Sequence, residues 1–92
     1  MHKITKFDLS EYLDSKESIS EYLSQILKDG DMDEFLEALG NVAKSKGMSE
    51  ISKNSGLGRQ SLYKVFNNGA KPGFETINKI ISSFGLEIKI SA

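Results

Sequence analysis

Apolar residues fall on helical spacing through most of the chain. Ile19, Tyr22, Leu23, Ile26 and Leu27 follow the i, i+3, i+4, i+7, i+8 rule and predict a helix over 16–29. Ser18 with Glu21 three residues on has the form of a capping box, and Gly30 stands where a left-handed C-cap belongs. Asp31 and Glu34 repeat the capping arrangement, with both carboxylates near a positive helix end. Phe35, Leu36, Leu39, Val42 and Ala43 make the next stripe, predicting a helix over 32–46 that Gly47 ends. "MSEISKNS" is two turns long, with Met48, Ile51 and Ser52 facing inward and Gly56 closing it. In "RQSLYKVF", Leu62, Val65 and Phe66 share a face, which predicts a helix over 59–67 closed by "NNG". Lys71-Pro72 interrupts the pattern, because proline disfavours helix in the residue before it. Phe74, Ile77, Ile80, Ile81 and Phe84 then predict a fifth helix ending at Gly85.

The two ends of the chain depart from this period. "KITKF" has the form of a short strand, and Asp8 starts a turn that groups Leu9, Tyr12 and Leu13. Near the other end Leu86, Ile88 and Ile90 alternate with Glu87 and Lys89, a period of two that predicts a β-strand. A strand cannot satisfy its backbone alone. Its candidate partners are "KITKF", the same segment of a second copy, or a strand edge on another protein. The expected fold is therefore all-α, a five-helix bundle with a short C-terminal β-strand.

Charge changes the picture more than composition does. Ninety-two residues, 38% of them apolar and 27% charged, describe one ordinary small domain. With no cysteine, a disulfide framework and a thiolate zinc site are both excluded. No apolar signal core or membrane-length stretch is found, so a cytoplasmic location is expected and no membrane partner. The net charge of −1 conceals an asymmetry: residues 1–40 carry four Lys against ten Asp and Glu, whereas 41–92 carry eight Lys and Arg against three Glu. An acidic half joined to a basic half implies two surfaces, and two different partners. On this division residues 1–30, an N-terminal arm and helix, are the candidate protein-contacting region. Residues 31–92 form the remainder of one compact unit.

"GLGRQSLYKVFNNG", residues 56–69, holds the most specific local signal. A dinucleotide loop needs a third glycine where Ser61 stands and a preceding strand, and a Walker A loop needs Gly-Lys-Ser/Thr; neither is present. A helix-turn-helix explains more positions together. Gly56 supplies backbone freedom at the turn, Leu57 tucks between two helices, and Gly58 takes the N-cap position. The outward positions of the second helix are then Arg59, Gln60, Ser61, Tyr63 and Lys64. Arginine can hold guanine bidentately, glutamine can pair with adenine, and serine and lysine suit phosphates. Lys53, Asn68 and Lys71 complete the candidate DNA-binding set. The plain alternative is a solvated helix face that contains Arg and Lys.

From Met48 to Leu86 the chain resembles the Cro/repressor (Xre) helix-turn-helix family, with the turn glycine at Gly56, an aliphatic at Leu57, a later proline, and a last helix closing on Phe-Gly-Leu. More of it, through "FDLSEYL", "LEALGNVAKSKGMSEISKNSGLGRQSLYKVF" and "FETINKIISSFGLEIKI", is similar to the HigA-like "probable addiction module antidote" antitoxins. The resemblance implies an antitoxin of a type II toxin–antitoxin module, which neutralises a small basic RelE/ParE-like toxin and represses its own operon. Two departures bear on the DNA contact. Met48 stands where many Xre proteins have a glutamine that touches phosphate, and Gly58 stands in place of the usual serine cap.

Together the two halves then read as two binding surfaces. Asp8, Glu11, Tyr12, Leu13, Asp14, Glu21 and Tyr22 are the candidate toxin contacts, with core packing the competing role for Tyr22. A homodimer is expected, since a repressor reading a palindrome needs two half-sites about 34 Å apart. No catalytic residue, metal ligand or cofactor is expected: the single His2 has no nucleophile or metal ligand beside it. A stand-alone helix-turn-helix regulator without a toxin partner is the alternative. A helical adaptor that has kept the fold and lost DNA binding is the third reading.

Overall fold

Hydrogen-bonded caps and single glycines set the boundaries of the helices in the computed structural model, which describes residues 15–67 and 69–91. There are five among them: α1 (Lys16–Asp29), α2 (Met32–Lys46), α3 (Met48–Ser55), α4 (Arg59–Val65) and α5 (Phe74–Ser83). Helix α1 starts at Lys16, as the spacing predicts, but Ser15 rather than Ser18 caps it: the Ser15 hydroxyl accepts the Ser18 N–H at 3.1 Å, and Ser18 lies within the first turn. Helix α2 has the expected capping box. Asp31 accepts the Glu34 N–H at 2.9 Å, while Glu34 Oε1 accepts the Asp31 N–H at 3.4 Å.

Gly30 does not adopt the left-handed conformation that its position suggested. Its φ of −101° is open to any residue. Space is the reason for glycine here, since a Cβ would lie 2.9 Å from the Ile26 carbonyl oxygen and 3.1 Å from Ile26 Cγ2. Gly47 is the reverse case. It alone connects α2 to α3, its φ is +103°, and a side chain there would meet open space, so conformation decides.

Packing centres on α2, which buries Phe35, Leu36, Ala38, Leu39, Gly40, Val42 and Ala43. Helix α1 lies against it through Ile19 and Leu23, with Tyr22 and Ile26 half-buried at the margin. Helix α3 contributes Met48 and Ile51 and packs on α2, α4 and α5; Leu62, Val65, Ile80, Ile81 and Phe84 close the core. No polar or charged side chain is buried among the described residues. Each large aliphatic taken wholly out of water contributes about 1.5–3 kcal/mol, so this one cluster supplies the driving force for folding. Ile19 and Leu23 belong to the same cluster as residues of the later helices, so the core runs continuously across residue 30.

Three expectations need correction. Leu27 is 63% exposed, because eight residues of helix turn it about 80° away from Ile19. Phe74 is 68% exposed: as the first residue of α5 it precedes the part of the helix that meets the core, which begins at Ile77. The predicted strand at 86–90 is not formed, and residues 87–90 make no backbone hydrogen bond to any other described residue. The alternation is real but lacks a paired ladder. A smaller difference lies in α4, which ends at Val65; Phe66 caps it and turns its ring back onto the core. Within the described residues no helix is long and apolar enough to cross a membrane.

Two stability measurements test this account. Leu39→Ala, at a site with no exposure, is expected to lower the unfolding free energy in urea by about 2–5 kcal/mol. At Gly56, φ is +76° and a Cβ would meet nothing within 4 Å, so the cost of a side chain there is conformational. Gly56→Val should therefore cost about 1–2 kcal/mol and Gly56→Asn clearly less, as asparagine tolerates this region.

Candidate functional site

The pair α3 and α4 is joined by the three residues Gly56, Leu57 and Gly58. Ser52 anchors this turn: its hydroxyl donates to the Leu57 carbonyl at 2.6 Å, and its own carbonyl accepts the Gly56 N–H at 3.0 Å. The Leu57 N–H donates to Ser55 Oγ at 3.2 Å. Leu57 is half-buried against the core, so the turn is held from both its polar and its apolar side. Spacing along the chain turns Ser52 inward and no more; its hydrogen bond across the turn is what the structure adds.

That anchoring decides which way α4 faces. Leu62 and Val65 point into the core, which leaves Arg59, Gln60, Ser61, Tyr63 and Lys64 exposed around the rest of the helix. Tyr63, at 46% exposure, gives this set an aromatic member. Lys53 is exposed on α3 and Lys71 on the loop after α4, while Asn68 lies outside the described residues. Gly58 caps α4 without any side-chain hydrogen bond, as its identity requires.

Among the described residues the basic groups here have no acidic partners. The ion pairs are Lys79 with Glu75 at 3.2 Å and Lys89 with Glu87 at 3.6 Å, both on the surface. Lys44, Lys46, Lys53, Arg59, Lys64 and Lys71 enter neither of them, and Glu50 is the one acid between Lys44 and Lys71. Exposed, unneutralised cations over such a stretch raise a positive potential that attracts polyanions.

Acidic groups collect elsewhere. Asp31, Asp33, Glu34 and Glu37, from the start and first two turns of α2, line an open groove with Phe66 as its apolar member. Asp33 also accepts the Gly69 N–H at 3.3 Å, tying the start of α2 to the loop after α4. This groove is absent from the sequence-based expectations. The spacing of Asp33, Glu34 and Glu37 puts them on one side of α2, but Phe66 comes from a distant helix and only the fold brings it there. Gly40 makes that approach possible, since a Cβ on it would stand 3.1 Å from Phe66 Cγ.

Of the candidate toxin contacts, Asp8, Glu11, Tyr12, Leu13 and Asp14 lie outside the described residues. Glu21 is exposed on α1. Tyr22 is half-buried against the core, and its hydroxyl accepts a hydrogen bond from Asn41 Nδ2 at 3.2 Å, which links α1 to α2. Core packing therefore accounts for most of this residue. Among the described residues no cluster of His, Cys, Asp and Glu has the arrangement of a metal site.

Relatives of the chain place it among known proteins. No solved structure gives a significant match. An uncharacterized protein of Haemophilus influenzae (strain Rd) is 33% identical over 88 residues, which span 96% of this chain and 91% of that protein. A family profile described as "Probable addiction module antidote protein" matches residues 3–92, taking in all five helices and the tail that follows them. The match runs through both the acidic and the basic part, and the chain belongs to the probable addiction module antidote family.

Proposed function

We propose that this chain is the antitoxin of a type II toxin–antitoxin module, which binds and neutralises a small RelE/ParE-like toxin and represses its own operon as a homodimer. Its α3–turn–α4 unit is a Cro/repressor-like (Xre) helix-turn-helix, with α4 as the recognition helix in the major groove. The observation that carries this reading is the exposed set Arg59, Gln60, Ser61, Tyr63 and Lys64 on a helix whose other side is fixed by Leu62 and Val65. Family membership supplies the antidote role, and the exposed set supplies the second activity.

The division of labour follows from chemistry. Arg59 and Gln60 have the donor and acceptor geometry to read base edges, while Lys53, Ser61, Lys64 and Lys71 hold phosphates. A toxin that acts on RNA or nucleotides presents a basic face, and the acidic part of this chain complements it. Asp8, Glu11, Tyr12, Leu13, Asp14 and Glu21 supply that surface. Tyr22 positions α1 on α2. Such a module operates in the cytoplasm, where both toxin target and operator reside.

Gel-shift titration against the promoter region of its own gene tests the DNA half. Arg59→Ala and Gln60→Ala are each expected to weaken specific binding by about 1–3 kcal/mol, with non-specific binding nearly unchanged. Lys64→Ala should weaken all sequences alike and reduce the salt slope by about 1. Unchanged affinity in all three variants would assign this face to solvent. For the toxin half, a gene for a small basic protein is expected beside its own, and co-expression with that product should rescue growth and yield a copurifying complex. Failure of both would refute the antidote role. Glu21→Lys should weaken that complex and blunt its salt dependence. Tyr22→Phe should instead leave binding intact and lower stability by about 0.5–1.5 kcal/mol through the lost Asn41 hydrogen bond.

A further inference from the structure

We propose that residues 86–90, "LEIKI", are the self-complementary seam of the dimer, pairing antiparallel with the same segment of a second copy and centred on Ile88. The pairing stands on this segment alone; the dimer of the proposed function is what it deepens.

The segment is already laid out for such a ladder. Leu86 is half-buried against the core, and its N–H donates to the Ile81 carbonyl at 3.3 Å, which anchors one end. Beyond it the backbone has no hydrogen-bond partner among the described residues. Lys89 Nζ lies 3.6 Å from Glu87 Oε1, so these charges share one side, as residues two apart do in an extended chain. Ile88 is 41% exposed and Ile90 97% exposed, so both have apolar surface that a second strand would cover.

Register follows from the residue order. With Ile88 facing Ile88 of the second copy, Leu86 faces Ile90 and Glu87 faces Lys89, each twice by symmetry. One face of the ribbon is then entirely apolar and continuous with the core through Leu86. The other carries two opposite-charge pairs. Sliding the second copy by two residues in either direction opposes Glu87 to Glu87 or Lys89 to Lys89. A one-residue slip sets charges against the apolar face, and a parallel arrangement brings like charges together. Only the antiparallel register centred on Ile88 matches charge and hydrophobicity at once. The ribbon is short, so a weak dimer in exchange with the monomer is expected.

Sedimentation equilibrium of the full chain, without DNA or toxin, tests this. Glu87→Lys and Lys89→Glu should each raise the dimer dissociation constant roughly tenfold, because like charges replace opposite ones in both pairs. An equimolar mixture of these two variants restores both pairs, as does the double variant, and either should return to within roughly threefold of the unaltered chain. As the chain has no cysteine, Ile88→Cys should give a disulfide-linked dimer on oxidation, and Glu87→Cys alone should not. A chain that is monomeric throughout, a dimer indifferent to the charge reversals, or a mixture no tighter than its components would overturn the seam. Loss of toxin binding in tail variants of a monomeric chain would overturn it too, by giving the segment to the toxin. A dimer with this seam that binds no operator would refute only the DNA reading.

Discussion

Phe66 packs closely over Gly40, where α2 has no side chain, and this contact ties the end of α4 to the rest of the fold. Helix α2 buries seven of its fifteen residues and carries α1 and α3, while α3 in turn carries α4 and α5. At Gly40 the Phe66 ring fills the space that a side chain would take. Phe66 is also the C-cap of α4, so the end of the exposed basic helix is held against the margin of the core. The other end is pinned by the Ser52 bond across the turn and by Leu57. Helix α4, only seven residues long, would be marginal by itself. It owes its position to these two anchors rather than to its own propensity.

Two electrostatically distinct surfaces follow from that arrangement. Along the chain, Glu50 is the one acid between Lys44 and Lys71, so the exposed side of α4 comes from a basic stretch, while the acids of α2 meet its far end beside Phe66. The acids at the start of α2 sit at the positive end of that helix, where they are favoured locally as well as by the capping box. The same carboxylates therefore stabilise the helix and shape the groove beside Phe66. Charge was placed here without burying any of it, and no side-chain polar atom in the described core lacks a partner.

Much of this is legible in the sequence, and the failures have physical causes. All five helices are readable, because apolar spacing and the glycines between them agree on where each lies, although side-chain caps hold only α1 and α2. The outward set of α4 is readable too, since Leu62 and Val65 fix the phase of so short a helix. Leu27 misleads because eight residues of helix rotate it out of the stripe, and Phe74 because it precedes the part of α5 that meets the core. Gly30 misleads because glycine serves two purposes, and the space taken by Ile26 cannot be seen in one dimension. The predicted strand at 86–90 reflects a true alternation, but a strand is a property of two segments. The acidic groove needs Phe66 to arrive from another helix, which only the fold supplies.

Absence of buried polar groups among the described residues has a consequence for how this chain can change over time. A core made only of aliphatic and aromatic side chains holds no hydrogen-bonded network that fixes particular identities. Swaps that conserve volume are tolerated there, and many sequences fill the same space. Gly47 and Gly56 are not free in this way, since their backbone angles exclude almost every other residue. Distant relatives should therefore be recognised less by their hydrophobic residues than by the spacing of these two glycines, nine residues apart around one short helix.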